Sequence, residues 1–153
     1  RNVPDDVLKR VAKNGGVIMI NFYPSFLDAR TNSEENARTA KLRDQVTAIN
    51  EQFKGNQRAI DEAIRKLEDA NPIYVPTFAR IVDHVDHIRK VTGSVDNIGL
   101  GSDFDGATTM PFDTSALVQI TQGLLDAGFS EADIAAIMGG NLRDLLLETL
   151  PQA

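Results

Sequence analysis

The chain has 153 residues, 42% of them hydrophobic, with a formal net charge of -6 and no cysteine. That is long and apolar enough for one domain with a real core, and the acidic balance argues against a general nucleic-acid binder, which needs clustered Lys and Arg. The lack of cysteine excludes disulfides and thiolate metal sites but leaves the compartment open.

No apolar run approaches the ~20 residues needed to span a bilayer. No signal peptide is visible, and the C-terminal "LLLETLPQA" lacks the pattern of a GPI signal. The sequence opens on Arg1 rather than Met, so it reads as beginning inside a longer gene product or after processing.

In chain order, "NVPDDVLKRVAKNGG" predicts a short helix. Pro4 suits its first turn, Asp5 and Asp6 suit its positive end, Gly15 and Gly16 stop it, and Val7, Leu8 and Val11 form its apolar stripe. "VIMINFYP" follows, and its continuous apolar run at 17–20 predicts a strand covered on both faces, as in a parallel sheet. Residues 33–70 are rich in Glu, Lys, Arg, Gln and Ala. They predict two helices, about 34–53 and 56–69, broken at Gly55, with a narrow stripe (Leu42, Val46, Ile49, Phe53, then Ile60, Ile64, Leu67) on a largely solvated hairpin.

"TFARIVDHVDHIRKVTG" predicts a strongly amphipathic helix, with Phe78, Ile81, Val82, Val85 and Ile88 facing inward and Gly93 closing it. "NIGLGSDFDG" (97–106) is the second buried-type strand. "DTSALVQITQGLLDAG" predicts a helix with Asp113 as N-cap and Gly128 as its stop. "SEADIAAIMGGNLRDLLLETL" predicts a short helix capped by Ser130 with Asp133, a break at Gly139 and Gly140, and a final helix carrying Leu142, Leu145, Leu146 and Leu150. Strands alternating with helices predict an α/β fold with parallel strands. Two strands do not make a self-sufficient sheet of that kind, so the chain reads as part of something larger.

Chemistry in α/β proteins sits at the C-terminal ends of strands. Asp103 lies just past "IGLG", and residues 21–23 just past "VIMI". Gly99 and Gly101 leave room for close backbone approach. Asp103 and Asp105 could equally serve a turn by bonding its amides. A calcium loop fits poorly, because the sixth position is not Gly and the twelfth is Thr114. His84 and His87, three apart in "DHVDH", share a helix face and invite a metal reading. Their mid-helix position favours a structural role instead.

Taken together, "RNVPDD", "NFYPSF", "DHVDHIRKVTG" and "IGLGSDFDG" strongly resemble the renal (membrane) dipeptidase family, zinc dipeptidases of the amidohydrolase-like barrel group. The likeness runs from Arg1 to about Leu147 and covers only the C-terminal part of the family's fold. It implies the C-terminal portion of a (β/α)8 TIM-type barrel, with "VIMINF" as seventh strand and "NIGLGSD" as eighth. The whole of 1–153 would then belong to one barrel domain, with the helical insertion at about 33–70 of the kind typical of bacterial members.

The resemblance implies hydrolysis of dipeptides by a hydroxide bridging two zinc ions, whose ligands lie upstream of Arg1, so that this chain supplies no metal ligand. It implies that Asp103 handles protons and engages substrate, and that Arg1 binds the dipeptide's terminal carboxylate, as a planar guanidinium can do bidentately. Phe26 stands where some members have a substrate-contacting tyrosine, so that hydroxyl is missing here. Asp105 would shape the loop, and His84 and His87 would be structural.

The expected partners are a dipeptide and the remaining N-terminal part of the barrel, with a homo-oligomer possible and neither nucleic acid nor a membrane segment involved. Alone, the chain is expected to lack hydrolytic activity, bind zinc only weakly and associate through uncovered strands. Two other functions remain open on this sequence: a half-barrel binding or scaffold protein, and an N-acyl-amino-acid deacylase on the same scaffold.

Overall fold

The structure is a computed structural model and describes residues 2–104 and 112–151. Its first element, α1 (Asp5–Lys13), follows Pro4 and carries Asp5 and Asp6 in its first turn and Lys13 in its last, matching the helix dipole. Strand β1 (Ile18–Ile20) leads into a single-turn helix, α2 (Pro24–Leu27), with Pro24 at its first position. The sequence reading missed α2 because a proline just after a strand also reads as a loop.

Helix α3 (Ala29–Gln52) begins earlier than the expected start at 34. The reason is Asp28, whose side chain accepts from the Arg30 amide and caps the helix ahead of the polar run. Helix α4 (Gln57–Asp69) is capped by Asn56 accepting from the Ala59 amide. The hairpin buries Leu42 and Ile60, while the rest of its stripe stays half-buried. Arg38 bridges to Glu68 at 3.4 Å, and Lys41 donates to Asn71 at 2.9 Å.

Helix α5 (Ala79–Thr92) is the centre of the packing. Ile81, Val82, Val85 and Ile88 are buried as expected, and Gly93 ends the helix at φ 83, a left-handed conformation that suits glycine. Strand β2 (Ile98–Leu100) pairs with β1 in parallel, Ile18 opposite Ile98 and Ile20 opposite Leu100. The long helical crossover between them is what a parallel pair requires.

Asp113 caps a single 3-10 turn (Thr114–Ala116) rather than the following helix α6 (Val118–Asp126) directly. Helix α6 lies close on α5 because Gly123 has no side chain to keep it off Phe78 and Val82. The capping box of Ser130 and Asp133 forms in full at the start of α7 (Glu131–Ala135). The expected break at the paired glycines is a π-helical turn (Ala136–Gly140), with Gly139 at φ 147, before α8 (Asn141–Thr149). Asn141 then ties α8 to the sheet, donating to the carbonyls of Val95 (2.7 Å) and Ile98 (2.8 Å).

One expectation about burial needs correction. The 17–20 run is not covered on both faces: Ile20 is buried, but Met19 is 40% exposed. Met19 lies across Gly99 on the sheet face away from the core, and no other strand lies beside it among the described residues. The leucines of α8 and its C-cap lie largely outside, with Leu146 and Leu150 exposed and Leu142 and Leu145 half-buried.

Candidate active site

The two strands deliver their ends to one place. Their pairing continues beyond the strands proper, since Gly101 donates to the Ile20 carbonyl (2.8 Å) and Phe22 to the Ser102 carbonyl (3.1 Å). Asn21 and Asp103 thereby become neighbours, although 82 residues apart, and the Asn21 Nδ2 donates to Asp103 Oδ2 at 3.0 Å. The other end of the Asn21 amide is occupied too, because its Oδ1 accepts from the Tyr23 amide at 2.7 Å. That turn fixes which way the amide points.

Asp103 is exposed and has φ 70, the single non-glycine residue with positive φ among those described. Aspartate tolerates this region better than most residues, but it still carries strain of order 1–3 kcal/mol. The next residue shows what holds it. Phe104 turns inward, its ring 5.8 Å from that of buried Phe22 and 6.1 Å from that of Phe112, while the Phe22 and Phe112 rings are 5.7 Å apart. With Phe104 held inward in this aromatic triangle, Asp103 is turned to solvent at the C-terminal ends of parallel strands.

A second polar cluster stands on the same loop. Glu35 of α3 accepts from the Tyr23 hydroxyl through Oε1 and from the Ser25 hydroxyl through Oε2. Burial first, and then the Glu35 hydrogen bond, push the Tyr23 phenol up to about 12. The helical hairpin therefore grips the loop that follows β1.

Phe26 is half-buried on α2, its ring 5.1 Å from the Tyr23 ring, and its carbonyl accepts from Asn2 at 2.9 Å. It borders a groove of about 630 Å³ that runs along β1 between α1 and α5, with Leu8, Ile18 and Ile88 in its wall. His84 and His87 border the same groove. The His84 Nε2 meets the Leu27 carbonyl at 3.1 Å, and the His87 Nε2 meets Asp5 Oδ1 at 2.9 Å.

Of the residues singled out from sequence, the structure places Asp103 at the strand ends and Phe26 on the adjoining helix α2. Arg1 and Asp105 lie outside the described residues. No group of three or more His, Cys, Asp or Glu among the described residues is arranged to hold a metal ion. Sequence reading passed over Asn21 as an individual residue and Glu35 altogether. An Asn two residues before Tyr23 is a turn signal in retrospect, but the partners of Asn21 and Glu35 across 82 and 12 residues carry no local signature.

Comparisons with known proteins bear on this site. The model of the membrane dipeptidase family (peptidase family M19) matches residues 1–149. An uncharacterized dipeptidase of Schizosaccharomyces pombe is 33% identical over 145 residues, covering 93% of this chain and 25% of its own length. Dipeptidase aclJ of Aspergillus oryzae is 30% identical over 149 residues, covering 95% and 25%. The chain thus spans about a quarter of the length of these curated relatives. Among solved structures, the probable dipeptidase PvdM of Pseudomonas aeruginosa matches with a TM-score of 0.64 at 22% identity, over 93% of this chain and 39% of that one, a likeness of fold.

Proposed function

This chain belongs to the membrane dipeptidase family, peptidase family M19, and on that premise we propose that it is the C-terminal part of a dipeptide hydrolase in which Asp103 is the acid–base group. The observation that carries the reading is the setting of Asp103: a solvent-facing carboxylate in a left-handed conformation, held by Asn21 where two parallel strands end. Strain at such a position points to function more than to folding. A turn-making aspartate would spend its oxygens on nearby amides. Here Oδ2 is taken by a side chain from the neighbouring strand.

The rest of the barrel would supply what this chain lacks. The free edge of β1 faces the groove between α1 and α5, which is the space a preceding strand would fill. This supports β1 and β2 as the seventh and eighth strands of a (β/α)8 barrel, with 1–153 as its last part. No group of three or more His, Cys, Asp or Glu among the described residues is arranged to hold a metal ion; the family likeness implies that the ligands of two zinc ions lie upstream of Arg1, and those residues would hold them. No helix among the described residues is long and apolar enough to cross a membrane.

The part left to this chain is proton and substrate handling. Hydrolysis of a peptide bond takes a proton from the attacking water and returns one to the leaving amine, and an exposed carboxylate beside the scissile bond does both in turn. Arg1 would pair with the terminal carboxylate of the dipeptide, and Phe26 would border the substrate without a hydroxyl contact. Without the remainder of the barrel, the 153-residue chain is expected to be inactive.

The test is Asp103→Asn in the full-length enzyme. Turnover is expected to fall roughly 10²–10⁴-fold, the usual worth of a positioned acid–base group. KM should change less, and zinc content should stay as in the wild type. Asp105→Asn, made alongside, should show in the melting temperature and not in the rate. Wild-type turnover in Asp103→Asn would reduce the aspartate to a turn residue and remove the reading's main support.

A further inference from the structure

Asn21 has two hydrogen-bonding ends, and the structure uses each for a different purpose. Its Oδ1 accepts from the Tyr23 amide at 2.7 Å, which shapes the loop. Its Nδ2 donates to Asp103 Oδ2 at 3.0 Å, which does nothing for that loop. The acceptor end fixes the plane of the amide, so the donor end is aimed before any substrate arrives. Asp103 itself has positive φ and lies at the surface, where a carboxylate would otherwise rotate freely. One oxygen pinned by an amide leaves the other presented in a single direction.

From this we infer that Asn21 is a positioning residue for the reaction, holding the Asp103 carboxylate in the orientation in which its second oxygen exchanges protons with water and leaving amine. The inference rests on the proposed role of Asp103. It adds that the penultimate strand supports the last one at the point of chemistry. A group displaced by as little as 1 Å can lose ~10²-fold in rate, so the support matters even though Asn21 need touch no reacting atom.

The two ends of the amide can be separated by mutation. In Asn21→Asp the oxygen facing the Tyr23 amide is kept, the donor to Asp103 is lost and a second negative charge is set beside that carboxylate, a charge that Asn21→Ser does not add. If Asn21 merely shapes the turn, Asp serves as well there. If it positions Asp103, Asn21→Asp should lower kcat roughly 10–10²-fold, with KM within about threefold on the same argument, and with zinc content and melting temperature close to the wild type. Asn21→Ser keeps a short acceptor for the turn but cannot reach Asp103, and it should behave alike; it answers the question if Asn21→Asp folds poorly.

The same substitutions are then made on Asp103→Ala, with hydrolysis of a dipeptide followed in the full-length enzyme. A residue that acts through Asp103 should cost nothing further on that background, a non-additivity that a merely structural role does not give. Wild-type kcat in both Asn21 variants, or an equal loss with and without Asp103, overturns the inference while leaving the role of Asp103 intact. Wild-type turnover in Asp103→Ala removes that role, and the positioning role falls with it.

Discussion

Arg80 and Asp28 stand 52 residues apart and meet at one oxygen: the guanidinium Nε and Nη2 each lie 2.8 Å from Asp28 Oδ2. The other oxygen, Oδ1, accepts from the Arg30 amide at 2.8 Å. A carboxylate only 7% exposed thus joins the end of α2, the start of α3 and the first turn of α5.

Burial alone would raise the Asp28 pKa, but the hydrogen bonds from Arg80 and the Arg30 amide outweigh it and hold the carboxyl below the usual carboxylate range. The folded value is therefore below that of the unfolded chain, ~3.9. Its contribution to stability is complete above that pH and is lost as pH falls through the folded value. Asp28→Ala is expected to cost about 1–2 kcal/mol at neutral pH through the lost cap. Asp28→Asn keeps the cap and should flatten the acid side of the melting-temperature profile below ~pH 4. Thermal melts of the three proteins from pH 2 to 7 check this, and an unchanged acid limb in Asp28→Asn counts against it.

The Tyr23 phenol gives the opposite limb. Its folded pKa of about 12 exceeds the unfolded ~10, so its stabilisation is full below pH 10 and is lost as pH rises through the folded value. Tyr23→Phe should remove that alkaline loss. It should also cost about 0.5–1.5 kcal/mol at neutral pH, because Glu35 loses one of its two hydroxyl donors. Urea unfolding at pH 8 to 12 measures both effects together.

Gly123 sets the approach of α6 to α5. A Cβ there would lie 2.9 Å from Phe78 Cε2 and 3.0 Å from Val82 Cγ2. Helix propensity favours alanine by ~1 kcal/mol, and overpacking opposes it by ~1–3 kcal/mol. Because Val82 is buried, overpacking should win, leaving Gly123→Ala destabilised by about 1 kcal/mol. The added cost should shrink in a Val82→Ala background, which removes the Val82 contact and leaves that with Phe78. A stabilised Gly123→Ala would mean that the helices separate at little cost.

Helix α8 leaves Leu146, Leu147 and Leu150 at 43%, 62% and 57% exposure. Exposed apolar patches of this kind promote association. The 153-residue chain on its own should therefore show a concentration-dependent mass by light scattering. Replacing Leu146 and Leu150 together by glutamate should shift it toward monomer. A wild-type chain monomeric at every concentration would show that these leucines do not drive contact.

Much of the fold was legible because it is written in short-range chemistry. Helical spacing and caps located α1, α4, α5 and α7, and the two β-rich runs ended in the residues that form the site. Helix α2 and the early start of α3 were missed, since Pro24 and the polar run after Asp28 fit loop and helix equally until Asp28 is seen to accept from the Arg30 amide. At the site, an aspartate after a glycine-rich strand drew notice by position. Its partner Asn21 did not, because nothing local in "NFYP" announces a bond to a residue 82 positions away.

The sequence by itself determined the α/β order, the parallel pairing of two strands through a long helical crossover, the capped and glycine-ended helices, and the family likeness. All of these rest on periodicity, turn chemistry and motif order, which act over a few residues. Tertiary structure alone decided that the Asn21 amide points at Asp103, that Phe104 turns in so that Asp103 turns out, that Glu35 grips Tyr23 and Ser25, and that Met19 and the α8 leucines stay exposed. Those outcomes depend on which surfaces remain once α5 has packed against the sheet and α6, and a linear pattern carries no record of which distant side chain will arrive at a given spot.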